Sequence, residues 1–215
     1  MLRAPQRGIS MIEIAIGLAI ISIGFAWAIP SYTVWMQNMQ IRNMAESIVN
    51  GIQLARAEAI NRDSGVQFVL TASNPSIAIE DDLIPALGDS NGTNWIVRAI
   101  LQPVAGVPNY AYVSGSVGAE GSVNATVDAR DAPLAAGLNA VTFNGFGRLM
   151  AANDDGFAPI AKICVRSAAL TVANGARIFE IDIGNAGQIK MCDPTVVDPT
   201  DTRRCTSPAP RCPAI

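Results

Sequence analysis

ISMIEIAIGLAIISIGFAWAI, residues 9–29, carries one charged side chain, Glu13, in an otherwise apolar and small-residue run. About 20 apolar residues in a helix span a bilayer core of ~30 Å, so the stretch reads as a transmembrane helix. Arg3 and Arg7 stand ahead of it, and no acid precedes Glu13. The positive-inside rule then keeps the N-terminus cytoplasmic and exports the chain beyond Pro30. A secretory signal peptide is the competing reading, with an apolar core of ~7–15 residues and a small-residue cleavage site. Ala26-Trp27-Ala28 fits A-x-A formally, but Ile29-Pro30 follows, a poor start for a mature chain. The run is also longer than such a core, and a retained helix fits better.

Composition narrows the function. The 215-residue chain is 50% hydrophobic and 15% charged, with a formal net charge of −3. Its pI is about 4.9 and its mean hydropathy +0.29. So much apolar content excludes disorder over the whole chain, and the acidic balance offers no general field for nucleic acid. Histidine is absent. That removes Ser-His-Asp and Cys-His catalysis, histidine-ligated metals and the usual general base near neutral pH. No Gly-rich phosphate loop or paired-acid motif takes their place, so the expectation is a non-enzyme without cofactor or metal.

The helical pattern continues past Pro30, where a kink is expected. Ile41, Met44, Ile48, Ile52, Ala55 and Ala59 recur at spacings of 3, 4, 4, 3 and 4, one face of an α-helix. Arg42, Asn43, Glu46, Asn50, Gln53 and Asn61 lie off that stripe, with Leu54 as an apolar exception. Asp63-Ser64-Gly65 supplies the stop. A coiled-coil partner is the alternative, but the stripe covers few heptads; an amphipathic helix leaning on a globular head is the better reading.

From Val66 the pattern becomes β-type: VQFVL (66–70), NWIVRAIL (94–101), VNATV (123–127), AVTF (140–143) and ARIFEIDI (176–183). In the last, Phe179, Ile181 and Ile183 alternate with Ile178, Glu180 and Asp182, a half-buried strand with one wetter face. Turn signals stand between the runs at Asn91-Gly92, Asn144-Gly145, Asp155-Gly156, Asn174-Gly175 and Asn185-Ala186-Gly187. Asn144-Gly145 marks a hairpin, and 72–92 and 128–137 read as surface loops. No βαβ repeat is present. The expected fold is α+β, a long N-terminal helix packed on an antiparallel β-sheet head. The chain divides into 1–8, a membrane helix 9–29, its amphipathic continuation 30–63, a β-rich head 64–192 and a Pro/Cys-rich segment 193–215.

Glu13 costs roughly 2.5–3.5 kcal/mol if it sits at mid-depth in a bilayer. A place in the first helical turn near the interface, where an acid suits the helix dipole, is the simple explanation. The neighbouring residues offer another. Gly8-Ile9-Ser10-Met11-Ile12-Glu13 resembles the processing motif of type IV prepilins and type II secretion pseudopilins. The resemblance implies a basic leader (1–8) cut between Gly8 and Ile9 by a prepilin peptidase, and N-methylation of Ile9. Phe is commoner than Ile at that position. Glu13, the fifth mature residue, would then help select subunits by pairing with a neighbouring N-terminal amine, an attraction that makes the buried acid tolerable.

IQLARAEAINRDSGVQFVL (52–70) and VTFNGFGRL (141–149) resemble the helix exit and hairpin of GspH/FimT-type minor pilins. That family has a branch that primes type IV pilus assembly at the filament tip and one that is the H-type minor pseudopilin of type II secretion. ICVRSA (163–168) and GQIKMCDP (187–194) look more like the pilus branch. The resemblance implies a type IV pilin-like fold, partner pilins or pseudopilins and an inner-membrane assembly platform. It also implies a single-pass inner-membrane location with a periplasmic head.

Cys164, Cys192, Cys205 and Cys212 all follow the membrane run, and their even number suits an oxidising compartment. Three pairings are open. Cys164 and Cys192 stand at or beside strands and Cys205 and Cys212 close a Pro-rich loop, which favours those two pairs. Zinc on four thiolates is the rival, without any C-x₂-C knuckle to support it, and no histidine is present to activate a catalytic thiol. Glu80-Asp81-Asp82 lacks the spaced ligands of a Ca²⁺ loop and reads as a solvated turn.

Residues 193–215 show five prolines, no apolar periodicity and three arginines, Arg203, Arg204 and Arg211. Some pilus-branch proteins bind DNA through Gly-Arg-x-Arg near the C-terminus. Here the matching position reads Gly187-Gln188-Ile189-Lys190, with one cation instead of two. With Asp193, Asp198 and Asp201 nearby, the arginines read as a solvated salt-bridge cluster, and phosphate binding needs several cations. The expected function is therefore a minor pilin-like subunit of type IV pilus assembly. The type II secretion pseudopilin H is the alternative, and a DNA-binding minor pilin comes third.

Overall fold

The computed structural model describes residues 10–75, 88–104, 107–118, 122–130, 139–154, 156–205 and 212. Helix α1 is Met11–Arg62, and eight strands follow it: β1 Val66–Thr71, β2 Asn94–Val104, β3 Val107–Ser116, β4 Ala125–Arg130, β5 Ala140–Phe143, β6 Lys162–Ser167, β7 Phe179–Ile183 and β8 Ile189–Cys192. The chain forms two compact units, Met1–Met36 and Gln37–Ile215.

In the first unit α1 is apolar on every side. Ile12, Ile14, Ile16, Leu18, Ile20, Ile21, Ile23, Phe25 and Ile29 are each more than half exposed. The helix element runs on through position 30. The side chains at 27, 28 and 30 lie outside the description, and with them the kink expected at Pro30.

The second unit holds the core. Ile41, Met44, Ile48, Ile52, Ala55 and Ala59, the stripe read from the sequence, are each at most 1% exposed. Full burial of an Ile or Met side chain contributes about 1.5–3 kcal/mol, so this face fixes the helix more firmly than its propensity does. Leu54, the exception to the pattern, is half-buried against the same core. Gly51 sets the approach: a Cβ there would lie 2.9 Å from the rings of Phe68 and Trp95. Trp95 Nε1 donates to Ser47 Oγ at 3.0 Å beside this contact. The helix ends on a Schellman pattern, with Ser64 N–H donating to Ala59 O at 3.2 Å and Asp63 N–H to Ile60 O at 3.4 Å. Asp63 takes the left-handed conformation there (φ 45°).

The fold is α+β, with every strand pair among the described residues antiparallel, but these residues form two four-stranded sheets where one was expected. Their orders are β3-β2-β1-β5 and β4-β6-β7-β8. Val66, Phe68, Leu70, Val97, Val141 and Phe143 from the first share one core with Val127, Ala129, Ile163, Val165, Ile181 and Ile183 from the second. The opposite face of the first sheet carries a buried polar row. Arg98 Nε donates to Gln67 Oε1 at 2.8 Å, Gln67 Nε2 to Thr142 Oγ1 at 3.1 Å, and Thr142 Oγ1 to Asn153 Oδ1 at 2.9 Å. Cross-strand register Gln67↔Arg98 and Gln67↔Thr142 places them side by side.

Three strands escaped the sequence reading. β3 contains Pro108 and Gly115, residues a sheet accepts at an edge, and it is the edge strand beside β2. β6 and β8 are short and put charged residues on the face away from the core. β4 runs to Arg130, through the first part of the loop expected at 128–137. Asp128, the first residue of that expected loop, is buried beside Arg130 and stands opposite Cys164 in the ladder. Residues 131–138, and 76–87 with Glu80-Asp81-Asp82, lie outside the described residues. β7 starts at Phe179, later than the expected 176, after a 3-10 turn at Val172–Asn174 that ends on Gly175 (φ 86°).

Candidate functional site

Gly8 and Ile9 lie outside the described residues. Glu13 sits exposed in the first turn of α1, with its N–H donating to Ser10 O at 3.1 Å. Among the described residues no single helix is long and apolar enough to cross a membrane, whereas Met11–Ala26 and Ser31–Arg62 meet the length and composition requirement together.

In the head, the segments 52–70 and 141–149 meet. Asn144 Oδ1 accepts from the N–H groups of Phe146 and Arg148 at 3.0 and 3.1 Å, closing the turn expected at Asn144-Gly145. A Phe143↔Leu149 bridge closes the hairpin. Arg56 Nε, from the helix, donates to Gly147 O at 3.0 Å. The Gly184–Gln188 turn packs on the same point, with Leu149 N–H donating to Asn185 O at 3.2 Å. Gly147 and Gly187 both have positive φ (69° and 81°).

The second sheet turns a charged face away from the core. Lys162 Nζ lies 3.0 Å from Glu180 Oε1 and 3.6 Å from Asp182 Oδ1. Register pairs Lys162 with Asp182, Cys164 with Glu180, Glu180 with Cys192, and Asp182 with Lys190. This is the face of β7 expected to be wetter, yet Glu180 is 0% exposed. The C-terminal segment covers it. Cys212 N–H donates to Glu180 Oε2 at 2.8 Å, and two disulfides tie the segment down: Cys164–Cys212 (Cα–Cα 5.7 Å) and Cys192–Cys205 (Cα–Cα 5.0 Å).

These are not the favoured pairs, Cys164 with Cys192 and Cys205 with Cys212. Cys164 and Cys192 stand on one face with the Glu180 strand between them, two strand spacings or ~10 Å apart. A disulfide bridges at most ~7 Å between Cα atoms. Each instead reaches out to the tail, where Asp193 N–H donates to Arg203 O at 2.7 Å and brings Cys205 beside Cys192. Glu180, Cys192 and Cys205 converge closely enough for a metal. The two sulfurs are bonded to each other, so no thiolate is left to ligate one.

Burial and the adjacent Glu180 carboxylate raise the pKa of Asp182 above its ordinary value, against the opposing pull of Lys162. In the tail, Asp201 is held down at about 2 by hydrogen bonds from Arg203, whose side chain pairs with it. Asp198 is lowered by hydrogen bonds from Thr200. Lys190, the one cation of the Gly187-Gln188-Ile189-Lys190 position, donates through Nζ to Arg204 O at 3.3 Å. Arg211 lies outside the described residues.

Sequence reasoning missed the Lys162–Glu180–Asp182 cluster and the role of Arg56. The only signal for the first was a strand with acids on alternate positions next to cysteines. For the second it was an arginine inside a family-like segment.

No curated protein sequence matches the chain significantly. Two crystal structures of the Pseudomonas aeruginosa type IV minor pilin FimU are similar to it, each at 16% identity. One covers 73% of this chain and 91% of its own at TM-score 0.41, the other 70% and 90% at 0.39. A family model described as type II transport protein GspH matches residues 44–195. That stretch starts on the buried face of α1, takes in all eight strands and ends just beyond Cys192, so the chain belongs to the GspH family.

Proposed function

We propose that the chain is a minor pilin-like subunit that takes part in type IV pilus assembly, at priming or at the filament tip. Residues 9–29 hold it in the inner membrane with the N-terminus cytoplasmic and the head periplasmic. The leader 1–8 is removed by a prepilin peptidase between Gly8 and Ile9, and Ile9 is N-methylated. The helix then packs among partner pilins on the assembly platform, with Glu13 accepting a neighbouring Ile9 amine.

The observation that carries this reading is the helix itself. Its first part exposes large apolar side chains all round, a surface that needs lipid or other subunits to cover it. Its second part is buried in a head of the GspH family. The type II secretion pseudopilin H is the second reading, favoured by the description of the family model. A DNA-binding role gains no support from Lys190, whose Nζ is engaged with Arg204 O.

Mass spectrometry of the protein recovered from membranes of its native host tests the reading first. A chain beginning at methylated Ile9 is expected; an intact Met1 or Leu2 would reject processing at Gly8. Glu13→Ala is expected to insert in the membrane normally yet fail to complement a deletion strain. Normal piliation or secretion by that variant would reject the role of Glu13.

A further inference from the structure

A cavity of about 480 Å³ opens at the end of the second sheet, between β4, the end of β6 and the 167–178 segment. Arg166 and Arg177 line it together with Thr126, Ser167, Leu170 and Ile178, and among the described residues no carboxylate does. Five cations of the head sit beside acids: Arg42 with Glu46, Arg62 with Glu58, Arg130 with Asp128, Lys162 with Glu180 and Arg203 with Asp201. Arg56, Arg98 and Lys190 instead donate to Gly147 O, Gln67 Oε1 and Arg204 O. Arg166 stands in neither group. Its Nη1 is buried without a hydrogen-bond partner, a costly arrangement for a charged donor. The chain carries a net charge of −3, so two arginines without an acid in one cavity do not reflect a general excess of cations.

We propose that this cavity binds an acidic side chain presented by another polypeptide, its carboxylate received by Arg166 and Arg177 and its flanking residues by the apolar wall. A guanidinium matches a carboxylate in two-point geometry and gains most where water is excluded. A phosphate backbone is a poorer fit, because it needs a row of cations along an open surface. This assignment stands whether or not the chain assembles into a filament.

The test is a titration of the full chain in detergent micelles with acetyl-Leu-Glu-Leu-amide and acetyl-Leu-Gln-Leu-amide, followed by NMR at the amides of Ala168 and Ala169. The glutamate peptide is expected to saturate and to bind at least tenfold more tightly than the glutamine peptide. Arg166→Met should erase that difference while leaving the circular-dichroism melt intact, and Arg166→Lys should keep part of it. Equal binding of the two peptides, or no saturable shift, would overturn the proposal. So would inorganic phosphate displacing the glutamate peptide at equal concentration.

Discussion

Arg56 on the helix donates through Nε to the carbonyl of Gly147, 91 residues further along the chain, at 3.0 Å. Around this bond the helix, the Asn144–Arg148 turn and the Gly184–Gln188 turn come to one point. A Cβ on Gly187 would stand 2.1 Å from Gly147 O and 2.9 Å from Arg56 Nε. The junction therefore joins both sheets to the helix through a contact only a glycine allows.

Gly187 and Gly156 share the same φ of 81°, but a Cβ on Gly156 would meet nothing within 4 Å. Gly156→Ala should cost only the left-handed backbone penalty, about 1–2 kcal/mol. Gly187→Ala should cost that plus a clash of about 1–3 kcal/mol, and Arg56→Ala about 1–2 kcal/mol. Urea unfolding midpoints separate the three. Equal losses for the two glycines would show that the junction relaxes freely.

The helix stripe was legible because a 3.6-residue period leaves a linear trace, and every residue read into it is buried. The stop at Asp63-Ser64-Gly65 was legible for a local reason as well, since the capping bonds span only a few residues. What covers β7 left no such trace. Glu180 and Asp182 read as solvent-facing because of their type, and the segment that buries them has no periodicity of its own. Its cysteines announced cross-links, but their partners follow from strand register, which places β7 between Cys164 and Cys192. Arg56 and Gly147 were each within stretches that resembled the family, yet a bond between residues so far apart is a product of packing rather than of pattern.

The two disulfides should differ in their contribution to stability. Chain-entropy arithmetic gives about 4 kcal/mol for the separation of 48 residues between Cys164 and Cys212, and about 3 kcal/mol for the 13 between Cys192 and Cys205. Loss of the first also frees Cys212 N–H from Glu180 and lets water reach a buried carboxylate. Replacing Cys164 and Cys212 together by serine should therefore destabilise the head more than replacing Cys192 and Cys205. Urea unfolding of the two double variants checks the order, and a reversed order would mean that the outer face is held by the shorter loop.

Asp182 gives the head a pH dependence whose sign follows from its surroundings. Its Oδ1 is buried without a hydrogen bond, Glu180 repels its charge, and Lys162 at 3.6 Å offsets this only in part. Lys190, opposite it in the ladder, has its Nζ directed to Arg204 O. The folded pKa therefore lies above the ordinary 3.8. Between those two values the folded chain binds more protons at this group than the unfolded chain, so its contribution to stability falls as pH rises through the window. Above the window the fold bears the whole cost of an ionised Asp182; below 3.8 that cost is gone. Asp182→Asn keeps the shape and leaves Lys162 paired with Glu180. Its melting temperature should exceed that of the wild type at pH 7, with the gap closing as pH drops below the carboxylate range. A variant less stable than wild type at pH 7 and equal to it in acid would show instead that the Lys162 attraction outweighs the burial.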